Sequence, residues 1–91
     1  MVEGRYKFIL FIFGMSFRSV NAIENLKRIC DEHLQNNFDL QIIDISKEKE
    51  KAMEYQVFAV PTLIKLEQVP RRTIIGDLSD KEKVLKILDL I

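Results

Sequence analysis

Apolar side chains run almost without a break through residues 6–13, Tyr-Lys-Phe-Ile-Leu-Phe-Ile-Phe. A run of that length with little polar alternation predicts a central strand covered on both faces. Gly14 ends it. Residues 15–18 predict a loop, and Ser19 a helix N-cap. Val20, Ile23, Leu26, Ile29, Cys30 and Leu34 then recur at steps of three and four, which gives one apolar helix face. Asn36-Asn37 is the predicted stop, since Asn tolerates the left-handed conformation at helix ends. A second strand follows over 38–45, completing a βαβ unit with a right-handed crossover. Residues 46–54 predict a short, charged helix anchored only by Ala52, Met53 and the following Val57. Strands over 62–66 and 72–75, joined by a turn at 67–70, read as a hairpin. Gly76-Asp77 breaks the sheet. Ser79, with Glu82 three residues on, predicts a capping box for a last helix. Leu78, Val84, Leu85, Leu88 and Ile91 supply its apolar face. The order is βαβαββα, an α/β class with a mixed four-stranded sheet and helices on its faces.

The totals restrict what such a domain does. Ninety-one residues make one domain, 1–91. Hydrophobic residues are 47% and charged residues 31% of the chain, too apolar for disorder. Fourteen Lys and Arg balance fourteen Asp and Glu. No whole-molecule field draws the chain to nucleic acid or to an anionic membrane. The run 8–13 is far shorter than the ~20 apolar residues that span a bilayer, so the sequence predicts no membrane segment. A single cysteine cannot form an internal disulfide or a thiolate cluster, which fits a cytoplasmic setting.

Candidate chemistry is sparse. A thiol oxidoreductase needs a cysteine in the loop opening the first helix, where the helix N-terminus favours the thiolate. Residues 13–18 contain none, and Cys30 lies on the apolar helix face, where packing is its expected role. His33, the one histidine, has no second His or Cys with which to hold a metal. No glycine-rich phosphate loop and no Ser-His-Asp pattern is present, and no cofactor is implied. Lys-Glu-Lys-Glu-Lys at 47–51 reads as a solvated segment that is easy to reorganise. Lys65, Arg71 and Arg72 suggest a cationic spot suited to carboxylates. Tyr6, Phe11, Phe13, Tyr55 and Phe58 read mostly as core. Phe17, placed in a loop, is a candidate interface anchor.

Local sequence adds a resemblance. Val57-Phe58-Ala59-Val60-Pro61-Thr62-Leu63 resembles the cis-proline segment of thioredoxin-like proteins. Pro61 is the cis-proline candidate, with an ordinary trans proline before a strand as the other reading. Over nearly the whole chain the sequence resembles the KaiB family of circadian clock proteins. Gly14, Ser19, Ala22, Asn25-Leu26-Lys27-Arg28-Ile29-Cys30 and Ile43-Asp44 match its pattern in the first half. Pro61-Thr62-Leu63-Ile64-Lys65 and the stretch 70–79, Pro-Arg-Arg-Thr-Ile-Ile-Gly-Asp-Leu-Ser, are its most specific blocks, followed by Glu82-Lys83-Val84-Leu85 and Leu88-Asp89-Leu90.

The resemblance implies a non-enzymatic regulator that binds a KaiC-type ATPase, and in clock systems sensor histidine kinases or adaptors. It implies a homo-oligomer, dimer or tetramer, when free. It also implies two folds sharing the first βαβ half: the thioredoxin-like form and a βαββααβ resting form. Asp44 joins Phe17, Lys65, Arg71 and Arg72 as partner-binding candidates, and Gly76, Asp77, Ile87 and Asp89 are fold-switch candidates. Ile87 stands where the family has glycine, which favours a final helix, since glycine costs a helix interior about 1 kcal/mol. Three departures remove family features. Residues 13–17 lack the Ala-Gly-x-Thr-Pro pattern, and Asn21 and Gln41 replace basic residues. Two other readings remain: a sensory domain related to the input domain of a two-component kinase, and a thiol oxidoreductase.

Overall fold

β1 (Tyr6–Ile12) is the centre of the molecule, and its side chains divide strictly by parity. Phe8, Leu10 and Ile12 enter one buried cluster and Ile9 and Phe11 the other. The alternation of side chains across a strand explains why almost every position is apolar: both faces are covered. These positions come from a computed structural model of the chain, which describes residues 6–35, 37–67 and 71–91.

Seven elements follow the predicted order: β1, α1 (Phe17–His33), β2 (Phe38–Asp44), α2 (Lys49–Glu54), β3 (Thr62–Lys65), β4 (Arg72–Ile75) and α3 (Lys81–Ile87). The sheet order is β2-β1-β3-β4. β1 pairs in parallel with β2, from Tyr6 opposite Phe38 to Ile12 opposite Asp44. It pairs antiparallel with β3, Phe11 opposite Thr62, and β3 pairs antiparallel with β4, Thr62 opposite Ile75. The sheet is mixed and four-stranded, and the arrangement is the thioredoxin-like one, not the βαββααβ alternative.

The larger cluster lies under α1 and α3, where Ala22, Leu26, Ile29, Cys30, Val84, Leu85 and Leu88 meet β1, Leu63 and Ile74. The smaller one joins Ile9, Phe11, Ile43 and Ile64 under Tyr55, Val57 and Val60.

Several boundaries differ from expectation. Ser16, not Ser19, caps α1: its hydroxyl accepts from the Ser19 N–H at 3.3 Å. Ser19 is buried instead, its Oγ accepting from the Ser16 hydroxyl at 2.9 Å and the Phe13 N–H at 3.3 Å. Phe17 is therefore the first helical residue rather than a loop residue. α1 stops at His33, with Gln35 taking the left-handed turn at φ 52°. Asn36, half of the predicted stop, lies outside the described residues, as do 68–70 of the hairpin turn. Asp80, not Ser79, caps α3 by accepting from the Lys83 N–H at 3.2 Å. Met53, expected as an anchor of α2, is exposed, and Phe13, Phe58 and Ile91 are exposed rather than core.

Candidate interaction site

The strand registers bring three separate segments to one end of the sheet. Phe11 faces Thr62 and Thr62 faces Ile75, so the loop after β1, residues 58–61 and the β4–α3 junction meet there. Two bonds fix the level: the Gly76 N–H donates to the Pro61 carbonyl at 2.9 Å, and the Phe13 N–H donates to Ser19. The Val60–Pro61 peptide bond is cis. Gly76 has φ 125°, in the region that side chains strain to adopt.

This end is apolar and open. Phe58 is 94% exposed and Phe17 80%, with Phe13, Met15 and Ile75 also exposed. Phe17 was singled out from the sequence; Phe58, Met15 and Ile75 were not. A signal for Ile75 existed. Ile74 faces the core, so its neighbour on a strand at the sheet edge must face away.

The charged candidates scatter. Asp44 ends β2 and ties two loops together. Its Oδ1 accepts the Gly14 N–H at 2.9 Å, the Ser46 N–H at 3.0 Å and the Ser46 hydroxyl at 2.7 Å. The Gly14 N–H above all, and then the Ser46 hydroxyl, hold its carboxyl below the usual carboxylate range. Lys65 is not part of a surface cationic spot, which corrects the sequence reading. It is 3% exposed because β3 is covered on both faces. Its Nζ donates to the Leu88 carbonyl at 2.8 Å, pairs with Glu67 at 3.2 Å and lies 5.0 Å from the Tyr6 ring centre. Arg71 lies over the Tyr55 ring at 5.1 Å, and Arg72 pairs with Asp89 at 3.1 Å.

Gly76 and Asp77 lead into α3, while Ile87 and Asp89 lie at its other end. Asp77 is held by its own turn and by α1. Its Oδ1 accepts the Ser79 N–H at 3.1 Å, and its carbonyl accepts from Asn25 Nδ2 at 2.9 Å. The Ser79 hydroxyl and then the Ser79 N–H keep its carboxyl below the ordinary range. Ile87 packs half-buried against the larger cluster, and Asp89 takes φ 60° just past the helix.

Thiol chemistry finds no support in this geometry. Residues 13–18 carry no sulfhydryl, and Cys30 is buried among Leu26, Ile29 and Leu34. Burial, with a smaller push from Asp31, raises its thiol to about 12. Among the described residues no group of His, Cys, Asp and Glu is placed to hold a metal, and no helix is long and apolar enough to cross a membrane.

Fold and site together define a domain of thioredoxin-like architecture without the nucleophilic loop of a thiol oxidoreductase. Solved structures agree on the architecture. The germline thioredoxin Deadhead of Drosophila melanogaster superposes with a TM-score of 0.74 at 18% identity, over 96% of this chain and 81% of that one. The N-terminal domain of Synechococcus elongatus SasA gives 0.76 at 19% identity, over 100% and 90%. The chain belongs to the KaiB family, whose domain matches residues 9–90. Circadian clock protein KaiB3 of Synechocystis is 44% identical over 82 residues, 90% of this chain and 80% of the relative. The clock oscillator protein KaiB of Trichodesmium erythraeum is 43% identical over 90 residues, 99% of this chain and 86% of the relative.

Proposed function

We propose that this chain is a cytoplasmic, non-enzymatic regulator that docks on a KaiC-type ATPase in a clock, timing or stress pathway. Membership of the KaiB family across residues 9–90 carries the reading. The site chemistry is consistent with it: the loop at 13–17 offers exposed apolar side chains and no nucleophile. Phe17 and Arg71 lie where a partner could reach them. Asp44 and the Arg72–Asp89 pair would act by holding loops and α3 in place. Gly76, Asp77, Ile87 and Asp89 bracket α3, the element that a second fold would have to rebuild, and the free chain would self-associate as a dimer or tetramer.

Likeness in fold to the SasA N-terminal domain favours a second reading, a sensory module acting with a histidine kinase. Size-exclusion chromatography with purified KaiC-type ATPase distinguishes them. Co-elution after long incubation at high concentration supports the first reading. Failure to co-elute under those conditions, with binding to a kinase instead, supports the second. Slow binding is expected where a conformational change precedes it.

A further inference from the structure

β4 ends the sheet on one side, and among the described residues no strand pairs with its outer edge. The ladder decides which groups face outward. The Gly76 N–H donates to the Pro61 carbonyl, so by antiparallel alternation Ile74 and Arg72 bond to β3. The main chains of Thr73 and Ile75 therefore point off the sheet. Such a row of open donors and acceptors is a template for another strand. Charged side chains usually guard an edge. β2, at the opposite edge, carries an exposed Asp39. On β4 the one charge, Arg72, is tied to Asp89, while Thr73 and Ile75 are exposed. Arg71 precedes them and shares their face, because side chains alternate along a strand. Its guanidinium lies over the Tyr55 ring at 5.1 Å and makes no hydrogen bond or ion pair among the described residues.

We propose that the outer edge of β4 docks an extended segment of a partner protein in which an acidic and an apolar residue stand four positions apart. The segment pairs its main chain with Thr73 and Ile75, lays its apolar side chain on Ile75 and sets its carboxylate on Arg71. Residues 71 and 75 lie on one face of the strand, so the two partner side chains opposite them share a face as well. An arginine fork suits a carboxylate geometrically, and an unpaired cation selects against a basic segment. A second copy of β4 does not complement the first. Antiparallel pairing about Ile74 would set Arg71 opposite Asp77 of the other copy. Gly76, at φ 125°, ends the extended strand before that point, and the Asp77 carboxylate is held by the Ser79 N–H at 3.1 Å. The proposal does not depend on the ATPase reading, because any partner with such a segment satisfies it.

The test uses the ¹⁵N-labelled full chain and synthetic Thr-rich peptides that carry one Glu and one Ile four positions apart, in either order. Matched peptides carry Lys in place of Glu. The Glu peptides should shift the Thr73 and Ile75 amides and slow their hydrogen exchange. Arg71→Glu should transfer the preference to the Lys peptides by about fivefold. Thr73→Pro should weaken binding about tenfold, since it removes an outward N–H that the peptide needs. Proline is tolerated where a strand's N–H faces out from an edge, and Arg71 is exposed, so both variants keep the fold. Unmoved Thr73 and Ile75 amides at millimolar peptide overturn the proposal. Equal binding of Glu and Lys peptides does so too, as does a preference that survives Arg71→Glu. Shifts confined to residues 58–61 would put the peptide elsewhere on the molecule, and movement with protein concentration alone would make a second copy the occupant. Either result also overturns it.

Discussion

The two halves of the molecule share the larger apolar cluster and differ in the length of their elements and in the polar ties that place them. The first, residues 6–44, has elements of 7, 17 and 7 residues, and its buried side chains are apolar except for Ser19. The second has elements of 6, 4, 4 and 7 residues and relies on polar ties as well. Lys65 grips the Leu88 carbonyl just past α3, Arg72 reaches Asp89, Lys81 pairs with Glu32 across to α1, and Asn25 holds the turn before α3. Hydrophobic burial is non-directional and tolerates small shifts. A buried ammonium is satisfied only in one geometry. The placement of the second half therefore depends on particular side chains as well as on burial.

The comparison is sharpest where the central strand is cut. Phe11→Ala removes a fully buried ring from the smaller cluster. It should cost about 3–5 kcal/mol, read as a lower urea midpoint with one cooperative transition. Loss of only α3 protection would break the distinction between halves. Lys65→Met comes next. It removes a charge-assisted bond to Leu88 and should cost about 1.5–3 kcal/mol. Hydrogen exchange should rise first in α3 and least in β1 and β2. Asp80→Ala removes the α3 cap and should cost about 1 kcal/mol, with the change confined to residues 80–90 by exchange.

The pH dependence of Asp44 is the finest test. Its carboxyl is depressed in the folded state, so the unfolded chain takes up the proton first as pH falls. Its stabilisation is present above the ordinary Asp range and is lost as pH falls through its lowered folded value. Asp44→Asn should flatten the acid limb of a stability profile relative to the parent chain. An unchanged limb would remove Asp44 from the account of the loops.

Sequence reading recovered what burial controls. The two-sided burial of the first strand, the periodicity of α1 and the β3–β4 hairpin all follow from apolar spacing, which packing enforces. It failed where two residues of like chemistry compete. Ser16 and Ser19 are both good caps, and only tertiary contact decides that Ser19 turns inward to the Phe13 N–H. Ser79 and Asp80 present the same ambiguity. Lys65 was misread because a lysine in a four-residue strand looks like a surface residue. Burying it requires Glu67, Tyr6 and the end of α3 to converge, and no local pattern announces that. The exposed Phe58 was misread for the converse reason: composition assigns a phenylalanine to the core. The end of the sheet as a site was hidden, since its three segments meet only through strand register.

The account rests on a thioredoxin-like scaffold used for contact and not for thiol exchange. Turnover of insulin disulfides by the purified chain, with dithiothreitol as reductant, tests that claim most directly. The account predicts a rate no greater than that of the reductant alone, because Cys30 is buried and its thiol is raised to about 12. Catalytic turnover that disappears in Cys30→Ser, with the fold intact, would contradict it.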